Sequence, residues 1–321
     1  MDKLLKYINQ FTHLRRAPNL GGAPHKPILL LSVMDGIEKG YITSNHIYIT
    51  AELIALFKSN WSIWVKTAHT MNFALPFFHL SSEPFWKLVE KVGQQIPLTS
   101  KKSIKSFQAL IQSVDYAVID YDLFHYMMMA DTREVLRKTI IDKYFPDIHP
   151  LQHSSTYYLD EIARQILNDS AVQYKKIIKK IEEKNKENIE EEIFLRNKVF
   201  QKKIPEIYNY TCSITGLRII PDNNQNMIDA CHIIPFAIDH DDTIGNGIAL
   251  CPNLHRAFDC GLITIDENYK IVVSKHFSEN SENTHSIRQF DNKKIKLPEN
   301  ELFYPRKEVL IWHNENVFER I

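Results

Sequence analysis

The strongest constraint on this chain is a short block in which two histidines, an asparagine and an aspartate follow one another closely. Residues Ala230–Ile234 are small or apolar and partly β-branched, which favours a strand that contains His232. Asn246 lies fourteen residues further on between two glycines, a composition typical of a turn or strand end. A short helical pattern follows over residues 253–259. The block therefore predicts a strand, a loop, a second strand and a helix.

Both ends of the predicted helix carry start and stop signals. Asn253 is placed to cap the helix, and Pro252 before it would end the preceding strand. Gly261 is placed to close the helix in the left-handed conformation. Within the helix, His255 and Asp259 are four residues apart, so their side chains project from one face.

The predicted order can bring both histidines, Asn246 and Asp259 around one small hollow. An imidazole nitrogen and a carboxylate on one helix face could bind one divalent ion, with Mg, Mn, Ni and Zn as candidates. His232 is a candidate base, because the ordinary pKa of an imidazole lies near physiological pH.

These motifs resemble those of the HNH, or ββα-metal, nucleases. The resemblance rests on His232-Ile-Ile-Pro, on Asn246-Gly, on Leu-His255-Arg-Ala-Phe-Asp259, and on an upstream Cys212-Ser-Ile-Thr-Gly, all in order within fewer than fifty residues. It implies metal-dependent hydrolysis of phosphodiester bonds, with one metal per site. His232 would be the base, Asn246 would orient it, and His255 would act in the catalytic site as a metal ligand beside Asp259.

One position departs from the family pattern. Many HNH nucleases carry Asp or His directly before the base as another metal ligand, whereas this chain has Cys231. Two alternatives stay open. Either the metal is held by His255, Asp259 and water, or Asp229 is a further ligand, since alternate residues of an ideal strand point to the same side.

Composition limits the remaining possibilities. A length of 321 residues suggests two domains, and the formal net charge of zero means that DNA binding must depend on local basic patches. The four cysteines include no Cys-x-x-Cys pair, which favours free thiols over a zinc knuckle. No membrane span and no signal peptide are expected, so the predicted location is cytoplasmic.

The first half predicts a mainly helical domain. Helical patterns cover residues 2–16, a buried helix begins at His25, an extended segment covers 41–50, and another helix covers 51–61. This arrangement is winged-helix-like. The aromatic stretches 73–80 and 84–88 predict a small β-hairpin, and residues 98–150 predict further helices.

The same half resembles the sulfur-binding domains of modification-dependent HNH restriction enzymes, which read phosphorothioate DNA. In that family a His-Arg pair precedes a Leu-rich helix and a Tyr-Pro pair precedes aromatic residues, where this chain has His25-Lys26 and Leu75-Pro76. Lysine lacks the planar fork of arginine, and leucine lacks the ring of tyrosine. The resemblance implies a DNA-reading domain. Its candidate DNA-binding residues are His25, Lys26, Leu75, Pro76 and His79.

The connection between the two halves is rich in charge. Residues 159–192 are rich in Lys, Glu and Ile, which favours an exposed linker helix with charge pairs. The predicted domains are residues 1–160 for DNA recognition, 161–192 for the linker and 193–321 for the nuclease. Arg196, Lys202 and Lys203 lie on a basic helix before the nuclease core and are candidate contacts to the DNA backbone.

These inferences predict an α+β protein with a winged-helix-like N-terminal domain, a linker helix and a C-terminal ββα-metal domain. The predicted activity is that of a type IV-like restriction endonuclease that defends against phage by cutting modified double-stranded DNA. A homodimer is expected because one HNH site cuts one strand. One alternative is a defence nuclease that is gated by a partner or a small signal. The other, motivated by Cys231, is a DNA-binding protein with a degenerate nuclease fold.

Overall fold

The computed structural model describes residues 2–148, 156–184, 189–219, 227–280 and 286–318. The chain divides into two compact units. The first comprises Met1–Glu161 with Asn185–Leu195, and the second comprises Ile162–Lys184 with Arg196–Ile321. Both contain helices and small antiparallel sheets, as an α+β fold requires. Across the described residues, no helix is both long and apolar enough to cross a membrane.

The first unit is built around a buried helix. Helix α2 (His25–Glu38) is buried from residue 26 to 37 and packs against α3 (Ala51–Trp64). Thr50 caps α3 by accepting a hydrogen bond from the Leu53 amide at 3.2 Å. The other helices of this unit are α1 (Asp2–Thr12), α4 (Ala74–His79), α5 (Phe107–Ser113), α6 (Tyr121–Met128) and α7 (Ala130–Tyr144).

A three-stranded sheet completes this unit and corrects the predicted aromatic hairpin. The strands are β1 (His46–Tyr48), β2 (Trp86–Glu90) and β3 (Val114–Ile119), in the order β1-β3-β2. The first arm of the predicted hairpin is helix α4, and β3 was not predicted. Phe73 and Phe77 are both buried at helical spacing, so packing outweighs the strand preference of aromatic residues.

The charged segment 159–192 differs from the predicted single exposed helix. It contains parts of α8 (Tyr157–Asn168), α9 (Ala171–Lys184) and α10 (Ile189–Ile207). Three of its isoleucines, Ile162, Ile166 and Ile178, are buried. Glu192 is also buried and pairs with Lys58 of the first unit, with 2.7 Å between Oε2 and Nζ. Acidic residues near a helix start can thus be internal when a cation satisfies them.

The second unit contains the predicted strand–loop–strand–helix order. Strand β4 (Asp229–His232) pairs antiparallel with β5 (Gly247–Leu250), and α12 (Pro252–Asp259) follows. A short helix α11 (Phe236–Asp239) lies in the loop. After α12 come the hairpin β6 (Ile263–Ile265) and β7 (Ile271–Val273) and the helix α13 (Lys307–His313).

The ends of α12 follow the predicted chemistry only in part. The N-cap is Cys251 and Pro252 occupies the first helical position, so the prediction of Asn253 as the cap was wrong. Proline suits that position because its fixed φ is helical and it needs no amide partner. At the other end, Gly261 has φ 72° and its amide bonds to the carbonyl of Phe258, as predicted for a left-handed closure.

Gly247 lies opposite His232 in the β4–β5 register. A Cβ at this position would lie 2.2 Å from Cδ1 of Ile204 and 2.9 Å from Cζ of Phe200, both on α10. Its φ of −126° is open to any residue, so the glycine is required by close packing and not by backbone conformation. Helix α10 therefore lies directly against the β4–β5 ladder.

Candidate active site

A cavity of about 360 Å³ in the second unit gathers the main predicted site residues. Strand β4 contributes His232, and helix α12 contributes His255 and Asp259. Asp229 and Cys231 come from the same strand as His232 and reach His255 and Asp259 through the contacts given below. The two imidazoles thus line one cavity, beside a carboxylate.

His232 is held by a buried acid and a stacked ring. Its Nε2 lies 2.8 Å from Oδ1 of Asp242, whose side chain is wholly buried. The ring stacks on Phe200, with 3.9 Å between centroids and 10° between planes. An ionised carboxylate can only accept, so this contact assigns the proton to Nε2. Nδ1 is left as the nitrogen that can accept a proton.

Asp242 is itself fixed from a second side. The hydroxyl of Tyr174 donates to its Oδ2 at 3.1 Å, and burial raises the pKa of Tyr174 well above its usual value. Tyr174 therefore stays protonated and remains a donor. Sequence reasoning did not find Asp242, Tyr174 or Phe200. Asp242 ends an acidic run in the loop, and no periodicity marks which acid faces the histidine.

Asn246 hydrogen-bonds to the backbone of the loop between His232 and Asp242. Its side chain is wholly buried, accepts from the Ile234 amide at 2.9 Å, and donates to the carbonyls of Ile234 and Asp241 at 2.9 and 3.0 Å. Its own carbonyl accepts from the amide of Ile233 at 2.9 Å. These bonds join the end of β4 to the start of β5 and so fix the backbone beside His232.

A candidate cation site lies around His255. Nε2 of His255 is 3.5 Å from Oδ2 of Asp259, and Sγ of Cys231 is 3.9 Å from Oδ1 of the same carboxylate. Ligand atoms of these three residues lie within 4.8 Å of one another. On the other side of the ring, Nδ1 of His255 is 3.2 Å from Oδ2 of Asp229. The three groups suit a divalent cation, and Asp229 lies behind the histidine.

A third histidine, His313, lines the same cavity but belongs to the core. Nδ1 lies 2.9 Å from the hydroxyl of Thr264, and Nε2 lies 3.2 Å from the carbonyl of Phe258. A neutral ring that accepts at Nδ1 and donates at Nε2 satisfies both contacts. Burial lowers the pKa of His313 to about 4, which fits this neutral form.

The first unit has its own cavity, of about 550 Å³. All five residues predicted for its DNA-binding surface line it, namely His25, Lys26, Leu75, Pro76 and His79. Arg15 and Arg16 are also in the lining. Arg15 is exposed, whereas the guanidinium of Arg16 lies 4.3 Å from the ring centroid of Tyr144 and donates to the Gly22 carbonyl at 3.2 Å.

Lys26 differs from the expected phosphate contact. Its side chain is buried, and Nζ donates to Glu83 at 2.6 Å and to Ser82 at 2.7 Å. The charge that the sequence placed at the DNA surface is therefore neutralised within the wall of the cavity. Burial also lowers the pKa of both His25 and His79, so both imidazoles are neutral at physiological pH.

The three basic residues predicted to contact the DNA backbone differ in exposure. Arg196 is only 3% exposed and lies over the ring of Tyr174 at 5.3 Å, so its expected contact with DNA is corrected. It falls on the buried face of α10, which charge alone does not reveal. Lys202 is exposed, and Lys203 is half-buried with its Nζ 2.6 Å from Glu206.

Solved structures with similar chains include two restriction endonucleases. The "Modification dependent TagI restriction endonuclease" is 19% identical over 37% of each chain, with a TM-score of 0.29. The match thus spans 37% of the TagI chain's length. The type IV phosphorothioation-dependent restriction endonuclease ScoMcrA is 10% identical over 78% of this chain and 93% of its own, with a TM-score of 0.34. No curated protein matches this chain.

Residues 212–266 match the family model described as HNH endonuclease. These bounds contain β4, β5 and α12, and with them His232 and His255 of the cavity. The chain therefore carries the catalytic domain of an HNH endonuclease.

Proposed function

We propose that this protein is a metal-dependent DNA endonuclease that recognises modified double-stranded DNA through its first unit and hydrolyses it in its second. The observation that carries the proposal is the single cavity lined by His232, His255 and Asp259. Hydrolysis of a phosphodiester needs a base for water and a positive centre for the developing charge, and the cavity has groups for both.

His232 is the base in this proposal. Because its Nε2 proton is held by Asp242, Nδ1 takes the proton from the attacking water while the bond between phosphorus and the leaving oxygen breaks. The carboxylate then stabilises the imidazolium that forms. The stacked ring of Phe200 keeps the imidazole plane fixed during this transfer. Asn246 is a positioning residue that holds the loop on either side.

His255 and Asp259 would hold a divalent cation, for which Mg, Mn, Ni and Zn are candidates. A bound cation would supply positive charge that stabilises the negative charge developing on the phosphate. Asp229 is better explained as a positioning residue than as a ligand. Its contact with Nδ1 leaves Nε2 of His255 as the nitrogen that faces Asp259, a common arrangement behind metal-binding histidines.

Plasmid cleavage by the full chain tests this reading directly. The protein is freed of metal with a chelator and then supplied separately with Mg, Mn, Ni or Zn. Cleavage is expected to return with at least one of these ions and to be lost in His255→Ala. His276→Ala, an exposed histidine outside the cavity, serves as the matched control. Cleavage that is equal with and without chelator would rule out the metal-dependent mechanism.

The cavity of the first unit supports recognition of a modified group. Leu75 and Pro76 form an apolar part of its wall beside the neutral His25 and His79, and the exposed Arg15 adds a cation. Such a lining suits a group that is poorly hydrated on one side and anionic on the other. A phosphorothioate has this character, and a modified cytosine is the other candidate.

Binding to matched duplexes separates these candidates. Duplexes of one sequence that carry phosphorothioate, 5-methylcytosine, 5-hydroxymethylcytosine or no modification are titrated with the His232→Ala protein, which removes cleavage from the measurement. One modified duplex is expected to bind at least about tenfold more tightly than the plain duplex, a difference of about 1.4 kcal/mol. Equal affinity for all four would reject modification-dependent recognition and leave an endonuclease of other specificity.

We also propose that two copies cooperate on one duplex inside the cell, because one HNH site cuts one strand. Analytical ultracentrifugation of the His232→Ala protein with a duplex carrying one recognised site tests this. Two chains per duplex are expected. One chain per duplex, together with nicking and no double-strand cleavage, would contradict the proposed homodimer.

A further inference from the structure

We infer that Cys231 is a thiolate ligand of the cation and that the site prefers a soft, zinc-like ion to Mg²⁺. The inference rests on the proposed function, since it concerns the ligands of the same cation. Cys231 stands where many HNH nucleases have Asp or His as a metal ligand, and the sequence left water or Asp229 as the alternative third ligand. The cysteine itself, rather than Asp229 or water, supplies the third ligand.

The positions of the three groups support a shared ion. Cys231 is wholly buried, and its sulfur lies 3.6 Å from the carbonyl oxygen of His232 and 3.9 Å from Oδ1 of Asp259. Nε2 of His255 lies 3.5 Å from the other oxygen of that carboxylate. Around a tetrahedral Zn²⁺, with bonds of about 2.0–2.3 Å, ligand atoms lie about 3.3–3.6 Å apart. The three ligand atoms lie within 4.8 Å of one another, so side-chain shifts of about 1 Å would bring them to these values.

The chemistry of the donors selects the class of ion. Mg²⁺ prefers oxygen ligands in an octahedron, whereas a sulfur, an imidazole nitrogen and a carboxylate oxygen together favour Zn²⁺ and similar ions. When the ion binds, a metal–sulfur bond forms and the thiol proton leaves to solvent. A family member with aspartate in place of Cys231 would offer a second carboxylate and a harder site.

Exposure of the three ligands leaves a position for substrate. The side chain of Cys231 is enclosed, while those of His255 and Asp259 are 28% and 53% exposed. Catalytic zinc sites commonly have three protein ligands and one open position for water or substrate. Asp229, bonded to the far nitrogen of His255, completes this pattern by fixing the orientation of the ring.

Cobalt titration of the metal-free, full-length protein tests the inference without relying on activity. A cobalt–thiolate bond gives a charge-transfer band in the near ultraviolet, and a tetrahedral site gives intense visible bands. The wild-type protein is expected to show both at one equivalent of Co²⁺, and Zn²⁺ but not excess Mg²⁺ should abolish them. The thiolate band should disappear in Cys231→Ser.

The matched control is Cys260→Ser, because Cys260 is an exposed thiol next to Asp259 that could take up cobalt adventitiously. It should keep the band. In Cys231→Asp, the ratio of Zn²⁺ to Mg²⁺ affinity should fall at least tenfold. Absence of the band in the wild-type protein would reject the inference even if a variant fails to fold.

Three results would overturn the inference in distinguishable ways. If wild-type protein binds Co²⁺ and cleaves DNA with it but shows no thiolate band, Cys231 is a core residue and the proposed nuclease function stands. If no ion binds and no ion supports cleavage, the inference fails together with the proposed function. A band that survives in Cys231→Ser but not in Cys260→Ser would assign the sulfur contact to the exposed thiol and also reject the inference.

Discussion

The two cavities both contain histidines, but the partners of those histidines differ in charge. In the nuclease cavity, His232 and His255 each contact a carboxylate, from Asp242 and Asp229 respectively. In the cavity of the first unit, Nε2 of His25 lies 2.9 Å from the carbonyl of Thr70. Likewise, Nε2 of His79 lies 2.9 Å from the hydroxyl of Ser103. An acidic partner stabilises a charged ring, whereas a neutral partner together with burial favours a neutral one.

The partners of the histidines determine which of the two cavities is suited to proton transfer. An imidazole with an acidic partner can accept a proton during a reaction or bind a cation, because the neighbouring carboxylate compensates the positive charge. Rings with neutral partners contribute shape and hydrogen bonds instead. Lys26 also lines the first cavity, but its charge is neutralised by Glu83. We therefore expect substitutions in the nuclease cavity to change turnover and substitutions in the first cavity to change binding.

Loss of the base should give the largest effect. His232→Ala removes the nitrogen that accepts the proton, so kcat should fall by about 10²- to 10⁴-fold, the usual contribution of a general base. DNA affinity should stay within about twofold, because the cavity of the first unit is unaltered. Single-turnover cleavage and fluorescence anisotropy measure the two quantities. A variant with unchanged kcat would show that the proton is removed elsewhere.

Weakening the acidic partner of the base should have the next largest effect. Asp242→Asn removes a charge-assisted hydrogen bond, so kcat should fall by about 10- to 100-fold with little change in KM. Tyr174→Phe removes only the second contact to Asp242 and should lower kcat by less. Nitrogen-15 chemical shifts of His232 give the tautomer, and Nε2 protonation is expected in wild type alone. Unchanged tautomer populations in Asp242→Asn would contradict this positioning role.

His313 breaks the simple contrast, since it lines the nuclease cavity yet has neutral partners. Its pKa of about 4 lies below the ordinary 6.5, so the unfolded chain binds the proton first as pH falls. Stability should therefore be complete above pH 6.5 and decline between pH 6.5 and 4. Between pH 7.5 and 5 the loss from this group is about 2 kcal/mol. Urea unfolding of the metal-free protein measures the loss.

The matched variant for that experiment is His313→Gln, which removes the titrating ring. Its unfolding free energy should be lower at pH 7.5 but should depend less on pH by about 2 kcal/mol across the same interval. An unchanged pH dependence in this variant would assign the acid sensitivity to other groups.

A charge in the cavity of the first unit should give the smallest effect on cleavage and a clear effect on DNA affinity. Leu75→Asp places a carboxylate in the apolar wall, where it repels phosphate. Affinity for the recognised duplex should fall at least about tenfold, or 1.4 kcal/mol, while single-turnover cleavage at saturating DNA is unchanged. Leu98→Asp, an exposed position of the same unit outside the cavity, is the control. Equal losses in both variants would remove the functional distinction between the cavities.

The nuclease motif was predictable because its signals are local. A β-branched strand, glycines at a turn and a helix with two polar residues four apart were enough to bring His232, His255 and Asp259 to one cavity. The cap of α12 was misassigned because Pro252 and Asn253 are both good residues for a helix start, and the more N-terminal one took the first helical position.

The remaining features depend on contacts that spacing does not encode. The aromatic residues of α4 predict a strand because they favour strands locally. The segment is helical because of its packing against elements that are distant in sequence. Asp242 reaches His232 through a loop whose path is fixed by Asn246. The sequence predicts Lys26 and Arg196 at a DNA surface, but both are buried. The residue type alone does not show whether a charged side chain is exposed or buried.

The missing side chain at position 247 has a consequence for how variants of this protein will be interpreted. Glycine in an Asn-Gly pair is usually credited to a bend, and its backbone angles here would accept alanine. Yet a single methyl group would clash with Ile204 and Phe200. The ring of Phe200 is the one that stacks on the imidazole of His232. Every substitution at position 247 in a saturation library should therefore reduce activity. Variants that are inactive but folded would indicate that the His232 ring is tilted, not that the protein is misfolded.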